Sequence, residues 1–332
     1  MIKVVFFQRK PLPIHKSIEF IFEDVRQRLA GRIFSVKKVF SFYSKGIVDR
    51  LQIMVEAYKN QGDINHITGD VHFAAILLNK KKTILTIHDC GMLASSSGIK
   101  HFLFKFFWFT YPLKKCNLVT VVSETTKKEL IKYTNCSSDK IHVIPVAVSS
   151  LFVYEPKPFN HIKPVILQFC TTPNKNTERV IVALKGIACD LLIIGKLTSS
   201  QKELLKQTNI NYKNVENISE KELVEHYKSS DMLSFVSTYE GFGMPIIEAQ
   251  ATGRPVITSN ISSMPEIAGK AACLVNPYNI DEIRNGILKI INDTAYRQEL
   301  INEGLKNCRR FEGDTIANEY LQLYKTMTGI DK

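Results

Sequence analysis

The chain has 332 residues, 45% hydrophobic and 23% charged, which is enough apolar material for two globular cores and excludes disorder as the main state. Its formal net charge of +12 resides entirely in residues 1–150, where 23 basic residues face 11 acidic ones. This one-sided charge predicts an acidic partner: a nucleic acid, an anionic membrane face or a substrate bearing a diphosphate. Seven scattered cysteines without a C-x-x-C pair predict a reduced, cytoplasmic chain with no cysteine-rich metal site.

The first half alternates short apolar runs with segments of helical period, a pattern typical of β-α-β units and parallel sheets. The amino terminus predicts a buried strand and no signal peptide. Residues 17–30 predict a helix, because Ile18, Phe22 and Val25 fall on one stripe. No apolar window reaches the roughly 18 residues of a membrane span, so none is predicted. The predicted strands of this half are Lys3–Phe7, Ile33–Phe40, Ile64–Thr68, Thr83–His88, Leu118–Val122 and Ile141–Pro145.

Residues 101–115 depart from this alternation, because aromatic side chains, Trp108 among them, are mixed there with basic ones. A helix buried in the core is one interpretation of the segment. An interfacial surface that contacts lipid or grips a lipid-linked acceptor is the other. The sequence leaves both interpretations open.

A proline-rich stretch without periodicity over residues 151–163 predicts a linker between two domains, 1–150 and 164–313. The expected fold class is α/β, with two doubly wound, Rossmann-like domains facing across a cleft, and ligands are expected at the carboxyl ends of the strands. The predicted strands of the second half are Pro164–Phe169, Asp190–Gly195, Tyr212–Val215, Met232–Val236, Pro255–Thr258 and Ala271–Val275.

The strongest functional pattern is STYEGFGMPIIEAQATGRPV, which begins at Ser237, follows an apolar strand and leads into a helix. Gly241 and Gly243 let the backbone approach a ligand closely. Free amides at the positive end of the helix then form an anion site suited to a diphosphate. Glu240 precedes the turn and Glu248 lies about two helical turns inside, so both carboxylates are placed to bind hydroxyl groups. A diphosphate flanked by two such carboxylates describes a nucleotide sugar.

This segment closely resembles the E-x7-E segment of the family 4 retaining glycosyltransferases with the GT-B fold, in which Y-E-G-F-G-x-P-x-x-E-A is nearly a signature. The resemblance extends from about residue 64 to the end of the chain. It implies a hexosyltransferase-type enzyme that moves a sugar from a nucleoside diphosphate to an acceptor with retention of anomeric configuration. It also implies that 1–150 is the acceptor-side domain, that 164–313 binds the donor, and that the helix in 314–332 packs back on the first domain.

The resemblance assigns roles to single residues. His88 and Glu240 are the expected catalytic residues, which orient the sugar ring and steady an oxocarbenium-like state. The expected donor-binding residues are Asn174, Lys175, Ile218, Gly241, Phe242, Gly243, Met244 and Glu248. Among these, Lys175 is expected to contact the diphosphate, and Glu248 to accept hydrogen bonds from ribose hydroxyls.

The chain departs from the family after its first strand, where the usual glycine-rich loop is absent. Arg9 and Lys10 are expected to supply positive charge to the phosphate or acceptor side in its place. A second departure is Gln168, with Phe169, where many members carry an arginine before the diphosphate-binding lysine. Asn174 is the expected replacement for that missing contact.

No D-x-D is present to hold a divalent ion, so the expected enzyme is metal-independent and needs no cofactor beyond its nucleotide-sugar substrate. The expected acceptor is a glycan or a polyprenyl-diphosphate-linked glycan in surface polysaccharide biosynthesis. The protein would then act in the cytoplasm or at an anionic membrane surface, on the inner face of the cytoplasmic membrane. A nucleotide-sugar epimerase or phosphorylase is the alternative enzyme. No recognition motif supports nucleic-acid binding.

Overall fold

A computed structural model describes residues 1–11, 17–94 and 98–329. The chain divides into two compact units, one formed by Met1–Ala147 with Gly313–Lys332 and the other by Val148–Glu312. Each unit contains one six-stranded parallel sheet with helices between its strands. All twelve predicted strands are confirmed within two residues at either end.

The sheet of the first unit has the strand order β2-β1-β3-β4-β5-β6. Its central strands are buried along nearly their whole length, as expected for a parallel sheet that helices cover on both faces. Its strands are β1 (Lys3–Gln8), β2 (Phe34–Val39), β3 (Ile64–Ile67), β4 (Thr83–Ile87), β5 (Leu118–Val121) and β6 (Ile141–Val143). Its helices are α1 (Ser17–Arg28), α2 (Ile47–Lys59), α3 (Gly91–Ala94), α4 (Ile99–Lys105), α5 (Tyr111–Lys115), α6 (Glu124–Thr134) and the carboxyl-terminal α14 (Gly313–Thr328).

Helix α14 packs in the first unit, although the whole second unit separates it from that unit in sequence. Tyr320 and Tyr324 are buried with Phe6 and Phe22 in one apolar cluster. The Tyr324 hydroxyl lies 2.7 Å from Nδ1 of the buried His66, whose Nε2 lies 2.7 Å from the Thr86 hydroxyl. A fully buried polar network therefore fixes this helix to the sheet, in addition to the apolar contacts.

The segment predicted as one helix over residues 101–115 is interrupted. A π-helical turn over Phe106–Thr110 separates α4 from α5, and α4 begins two residues earlier than predicted. The turn buries Trp108 and Phe109, whereas Phe102 and Phe107 stay exposed. The segment therefore contributes side chains both to the core and to the surface, and contact of its exposed side with lipid stays a prediction.

The second unit has the strand order β12-β11-β10-β7-β8-β9. Residues 151–163 contain neither helix nor strand and belong to this unit, where Phe152 packs edge-to-face on Tyr227 and Lys157 pairs with the buried Asp231 at 2.6 Å. Its strands are β7 (Val165–Phe169), β8 (Asp190–Ile194), β9 (Asn211–Val215), β10 (Met232–Phe235), β11 (Val256–Ser259) and β12 (Cys273–Val275). Its helices are α7 (Thr177–Leu184), α8 (Ser199–Thr208), α9 (Glu220–Ser229), α10 (Met244–Ala251), α11 (Met264–Ala268), α12 (Ile280–Asn292) and α13 (Thr294–Asn307).

Across the described ranges, none of the helices has the length and apolar character that crossing a bilayer requires.

Candidate active site

Glu240 lies in the loop between β10 and α10, where two serines that follow β11 hold its backbone. The Glu240 amide donates to the Ser262 hydroxyl at 3.1 Å, and that hydroxyl donates to the Glu240 carbonyl at 2.7 Å. The Ser263 hydroxyl lies 3.0 Å from the same carbonyl and 2.7 Å from that of Phe242. The backbone of Glu240 is thus held by the loop that follows a neighbouring strand.

Lys175 and Glu240 form an ion pair at the carboxyl edge of this sheet. Lys175 Nζ lies 2.7 Å from Glu240 Oε1, and each side chain is 15% exposed. The same ammonium group lies 4.5 Å from the centre of the Phe235 ring, within the range of a cation–π contact. Low exposure strengthens both interactions, so Lys175 is a preorganised positive charge that a ligand can still reach.

Two asparagines of the loop after β7 connect this loop to the Glu240 loop. The Asn174 amide donates to the Tyr239 carbonyl at 2.7 Å and to Glu240 Oε1 at 3.3 Å. The buried Asn176, in the left-handed region at φ +58°, donates to the carbonyls of Val236 and Pro277. Asn174 therefore positions Glu240, and the diphosphate contact expected of it stays a prediction.

The amino terminus of α10 presents backbone rather than side chains. Gly243 precedes the helix at φ +112°, a conformation that favours glycine, and no side chain caps the helix. Within the described ranges, the amides of Gly243 and Met244 have no hydrogen-bond partner. The Phe242 ring is buried edge-to-face against Phe311, so only the backbone of Phe242 can meet a ligand. The predicted anion site would be built from these two amides.

Glu248 is buried inside α10 and holds an unusual proton affinity. Its Oε2 accepts a hydrogen bond of 2.7 Å from the hydroxyl of Tyr227, which is fully buried on α9. Burial raises the pKa of Glu248 from 4.5 to about 7, although the Tyr227 hydrogen bond and the Lys175 charge oppose the rise. Burial and, to a lesser extent, the same carboxylate raise the pKa of Tyr227 well above its usual value. A carboxylate kept buried at this energetic cost is typical of a functional site rather than a structural one.

Ile218, predicted to line the base of the nucleotide, lies half-buried in the turn before α9. It borders a shallow groove with Lys213, Val215 and Glu222. The adjacent Ser219 forms the predicted capping box, in which its hydroxyl accepts from the Glu222 amide and the Glu222 carboxylate accepts from the Ser219 amide. The turn is therefore a well-formed helix start with an accessible apolar side chain.

The predicted residues of the first unit lie at the carboxyl edge of its own sheet. His88 follows β4 directly and is half-buried, with Nε2 3.0 Å from the Thr68 carbonyl oxygen. Arg9 forms an ion pair with Asp70 at 2.8 Å, and Lys10 lies 3.1 Å from the Ser41 carbonyl oxygen. Both cations already have partners, so their expected role toward a phosphate is not apparent in this arrangement.

Sequence reasoning missed several residues that organise the site. Tyr227 and the serines at 262 and 263 carry no motif of their own, since their partners lie about twenty residues away. Gln168, which stands where many family members carry an arginine, has a structural role that the sequence does not predict. Its buried side-chain amide donates to the Lys175 carbonyl at 3.1 Å and so supports the loop of Lys175. Its Oε1 atom is buried without a partner in the described residues.

Two family models match the chain. The model described as "Glycosyl transferases group 1" matches residues 161–307, and "Glycosyltransferase Family 4" matches residues 23–150. The chain belongs to the group 1, family 4 glycosyltransferases. The Glu240–Glu248 segment and Lys175 lie inside the first match, and His88 inside the second.

Curated relatives of this glycosyltransferase include enzymes of O-antigen assembly. The O-antigen chain mannosyltransferase B of Escherichia coli is 25% identical over 240 residues, which cover 65% of this chain and 62% of that protein. The O-antigen chain mannosyltransferase RfbU of Salmonella typhimurium is 31% identical over 239 residues, 66% of each chain. The chain thus spans slightly less than two thirds of either relative.

Solved structures identify the fold of the glycosyltransferase. The crystal structure of Anabaena HepE in complex with UDP and glucose matches with a TM-score of 0.79 at 15% sequence identity, covering 98% of this chain and 100% of HepE. WaaG, a glycosyltransferase involved in lipopolysaccharide biosynthesis, matches with a TM-score of 0.75 at 12% identity, covering 97% and 99%. These likenesses confirm the predicted GT-B fold.

Proposed function

We propose that this glycosyltransferase transfers a hexose, with mannose favoured, from a nucleoside-diphosphate sugar to a growing surface glycan. The observation that carries the donor assignment is the Lys175–Glu240 ion pair at 2.7 Å in the same unit as the open amide end of α10. A cation and free helix amides bind a diphosphate, and a carboxylate binds sugar hydroxyls. Mannose and a surface glycan are favoured because the curated relatives are named O-antigen mannosyltransferases.

Donor binding would exchange one ion pair for another. Glu240 neutralises Lys175 in the structure. On donor binding, the diphosphate would take the ammonium group and the Glu240 carboxylate would turn to the sugar. Because the Ser262 and Ser263 hydroxyls hold the backbone of Glu240, release of its carboxylate does not unfold the loop. The charge that develops on the departing diphosphate would meet Lys175 and the α10 amides already in place, which is electrostatic preorganisation.

Glu248 would bind the ribose of the donor. Tyr227 occupies its Oε2, and Oε1 has no partner among the described residues. A hydroxyl that donates to Oε1 would favour the ionised carboxylate, which burial disfavours in the free protein. Donor binding at Glu248 is therefore expected to release a proton near neutral pH.

The remaining features are proposed from the family resemblance alone. They are the contact of His88 with the donor sugar, retention of anomeric configuration, catalysis without a metal ion, and a glycan or polyprenyl-diphosphate-linked acceptor on the cytoplasmic side of the membrane. Arg9 and Lys10 are proposed to supply positive charge to the phosphate or acceptor side, and for Arg9 this requires that its ion pair with Asp70 opens.

The test is a transfer assay with a panel of nucleoside-diphosphate sugars and a polyprenyl-diphosphate-linked glycan, with and without a chelator. The proposal expects product only when both donor and acceptor are present, and the same rate with and without chelator. NMR of the product should show the anomeric configuration of the donor sugar. Nucleotide release that needs inorganic phosphate, or sugar inversion without acceptor, would instead indicate a phosphorylase or an epimerase. His88→Ala should lower turnover more than donor affinity.

A further inference from the structure

Gln8, the last residue of β1, carries a buried side-chain amide without a hydrogen-bond partner. The residue is 3% exposed, and neither Nε2 nor Oε1 has a partner among the described residues. Gln168 of the second unit differs, because its amide nitrogen donates to two backbone carbonyls. Buried polar groups are normally paired, since an unpaired donor or acceptor loses its hydration without compensation. An amide left wholly unpaired therefore points to a ligand.

Gln8 lies at the same edge and on the same face of the sheet as His88. The ring of Phe22 lies 6.4 Å from that of Phe6 and 6.2 Å from that of His88, so the side chains of Phe6 and His88 point to one face. Gln8 follows Phe6 by two residues and shares that face, because side chains alternate along a strand. Both Gln8 and His88 stand at the carboxyl ends of their strands.

A single strand separates Gln8 from His88. The pairing of β1 with β3 runs up to Phe7 and Ile67, which places Gln8 beside Thr68. The Thr68 carbonyl oxygen in turn lies 3.0 Å from His88 Nε2. A ligand that reaches the half-buried His88 is therefore within a few ångströms of the Gln8 side chain, given a spacing of about 5 Å between neighbouring strands.

The groups at this edge suit hydroxyl groups better than phosphate. The Thr68 carbonyl can only accept, so His88 Nε2 carries a hydrogen and Nδ1 of the neutral ring keeps a lone pair. In the part of the chain that the structure describes, no hydrogen bond reaches that Nδ1 atom. The adjacent cation Arg9 is paired with Asp70 at 2.8 Å. An uncharged amide and an imidazole lone pair therefore face the ligand, and the lone pair repels phosphate oxygens.

We propose that Gln8 is a specificity-determining residue that binds two neighbouring hydroxyl groups of the acceptor sugar. Its Nε2 donates to one hydroxyl oxygen, and its Oε1 accepts from the other hydroxyl. A phosphate offers acceptors alone and would leave Oε1 unpaired, whereas a sugar hydroxyl both donates and accepts. The inference rests on the proposed function, in which the first unit holds the acceptor, and it adds the residue and the chemical group that this residue recognises.

The test variant is Gln8→Met, which keeps the length of the side chain and removes both polar groups. The control is Asn65→Ala, which alters a buried amide of the same unit that already has partners, the Gly62 backbone amide at 3.0 Å and the Gln61 side chain at 3.1 Å. Three measurements compare the variants with wild type. They are the urea midpoint, the binding of methyl α-mannoside by saturation-transfer NMR, and the KM values for nucleotide sugar and for polyprenyl-diphosphate-linked glycan.

Gln8→Met should raise the urea midpoint, because unpaired buried polar groups are replaced by apolar atoms of similar shape, whereas Asn65→Ala should lower it. Gln8→Met should also weaken methyl α-mannoside binding and raise the acceptor KM, each at least about tenfold, since two hydrogen bonds are lost. The KM for nucleotide sugar should stay within about twofold. Asn65→Ala should bind and transfer as wild type, and excess inorganic pyrophosphate should not displace the mannoside from wild type.

Gain of stability without loss of acceptor affinity in Gln8→Met would overturn the proposal, because the unpaired amide would then serve no ligand. A lowered urea midpoint would also overturn it, since the amide would have a partner within the folded chain. A shift of the nucleotide-sugar KM alone, or displacement of the mannoside by pyrophosphate, would contradict the assignment to acceptor hydroxyls. If wild type transfers no sugar, the proposed function fails, and methyl α-mannoside binding by wild type and Gln8→Met then decides on Gln8.

Discussion

Glu248→Gln separates the stability of the fold from the function proposed for the carboxylate. In the folded chain burial raises the pKa of Glu248 from 4.5 to about 7, so the folded state binds a proton more tightly than the unfolded state. Stability therefore falls as pH rises through this window. The pKa difference between the folded and the unfolded state corresponds to about 3 kcal/mol of stability, of which about 2 to 3 kcal/mol is lost between pH 5 and pH 8.

Glutamine does not titrate, and its side-chain oxygen can still accept from the Tyr227 hydroxyl. The free energy of unfolding of the variant, relative to wild type, should therefore rise by about 2 to 3 kcal/mol from pH 5 to pH 8. Urea unfolding of both proteins across this range measures it, and other titrating groups cancel in the difference. Parallel pH profiles would refute the reasoning. Donor affinity should move the other way, weakening about 10- to 100-fold, because a charged acceptor is lost.

Three further predictions concern the buried network of the first unit and the start of α10. Tyr324→Phe should lower the free energy of unfolding by about 1 to 3 kcal/mol in urea, because Nδ1 of the buried His66 loses its partner; an unchanged midpoint would contradict the buried network. Burial lowers the pKa of His66 to about 3, below the 6.5 of the unfolded chain, so the free energy of unfolding should fall as pH drops below 6.5. In urea unfolding across this range, His66→Asn should show a smaller loss of stability at acid pH than wild type. Gly243→Ala should weaken donor binding in calorimetry and cost about 1 to 2 kcal/mol of stability, since φ is +112° and the new Cβ would lie 3.2 Å from Ile246 Cδ1; normal affinity would argue against a role for this helix start.

Most strands were predictable because they contain short apolar runs between segments of helical period. The edge strands β2 and β9 are partly exposed and carry polar residues. The site around Glu240 was predictable in part for a similar local reason. One short segment contains the glycines, a proline in the first helical turn and two carboxylates, so a single sequence motif identifies all of them. Lys175 needed the family resemblance, since an isolated lysine after a strand has no distinctive local pattern.

The rest depends on contacts between residues that are distant in sequence. The Tyr227–Glu248 hydrogen bond joins two helices, and the serine support of Glu240 comes from the loop after another strand. Tyr227 and the two serines lie in no motif or periodic pattern that predicts these contacts. The exposed apolar face of α2 could not be predicted, because apolar residues occupy more than half of the circumference of this helix and the sequence does not tell which of them are buried.

The most direct test of the donor site is calorimetric titration of wild type, Lys175→Ala and Glu240→Gln with a nucleoside diphosphate and with the corresponding nucleotide sugar. Lys196→Ala, which changes an exposed lysine of the same unit, is the control. Lys175→Ala should bind both ligands at least about tenfold more weakly, since a charge-assisted contact is lost. Glu240→Gln should bind the diphosphate at least as tightly as wild type, because Lys175 no longer has a competing carboxylate, yet lose affinity for the sugar. Wild-type affinity of Lys175→Ala for both ligands would contradict the account.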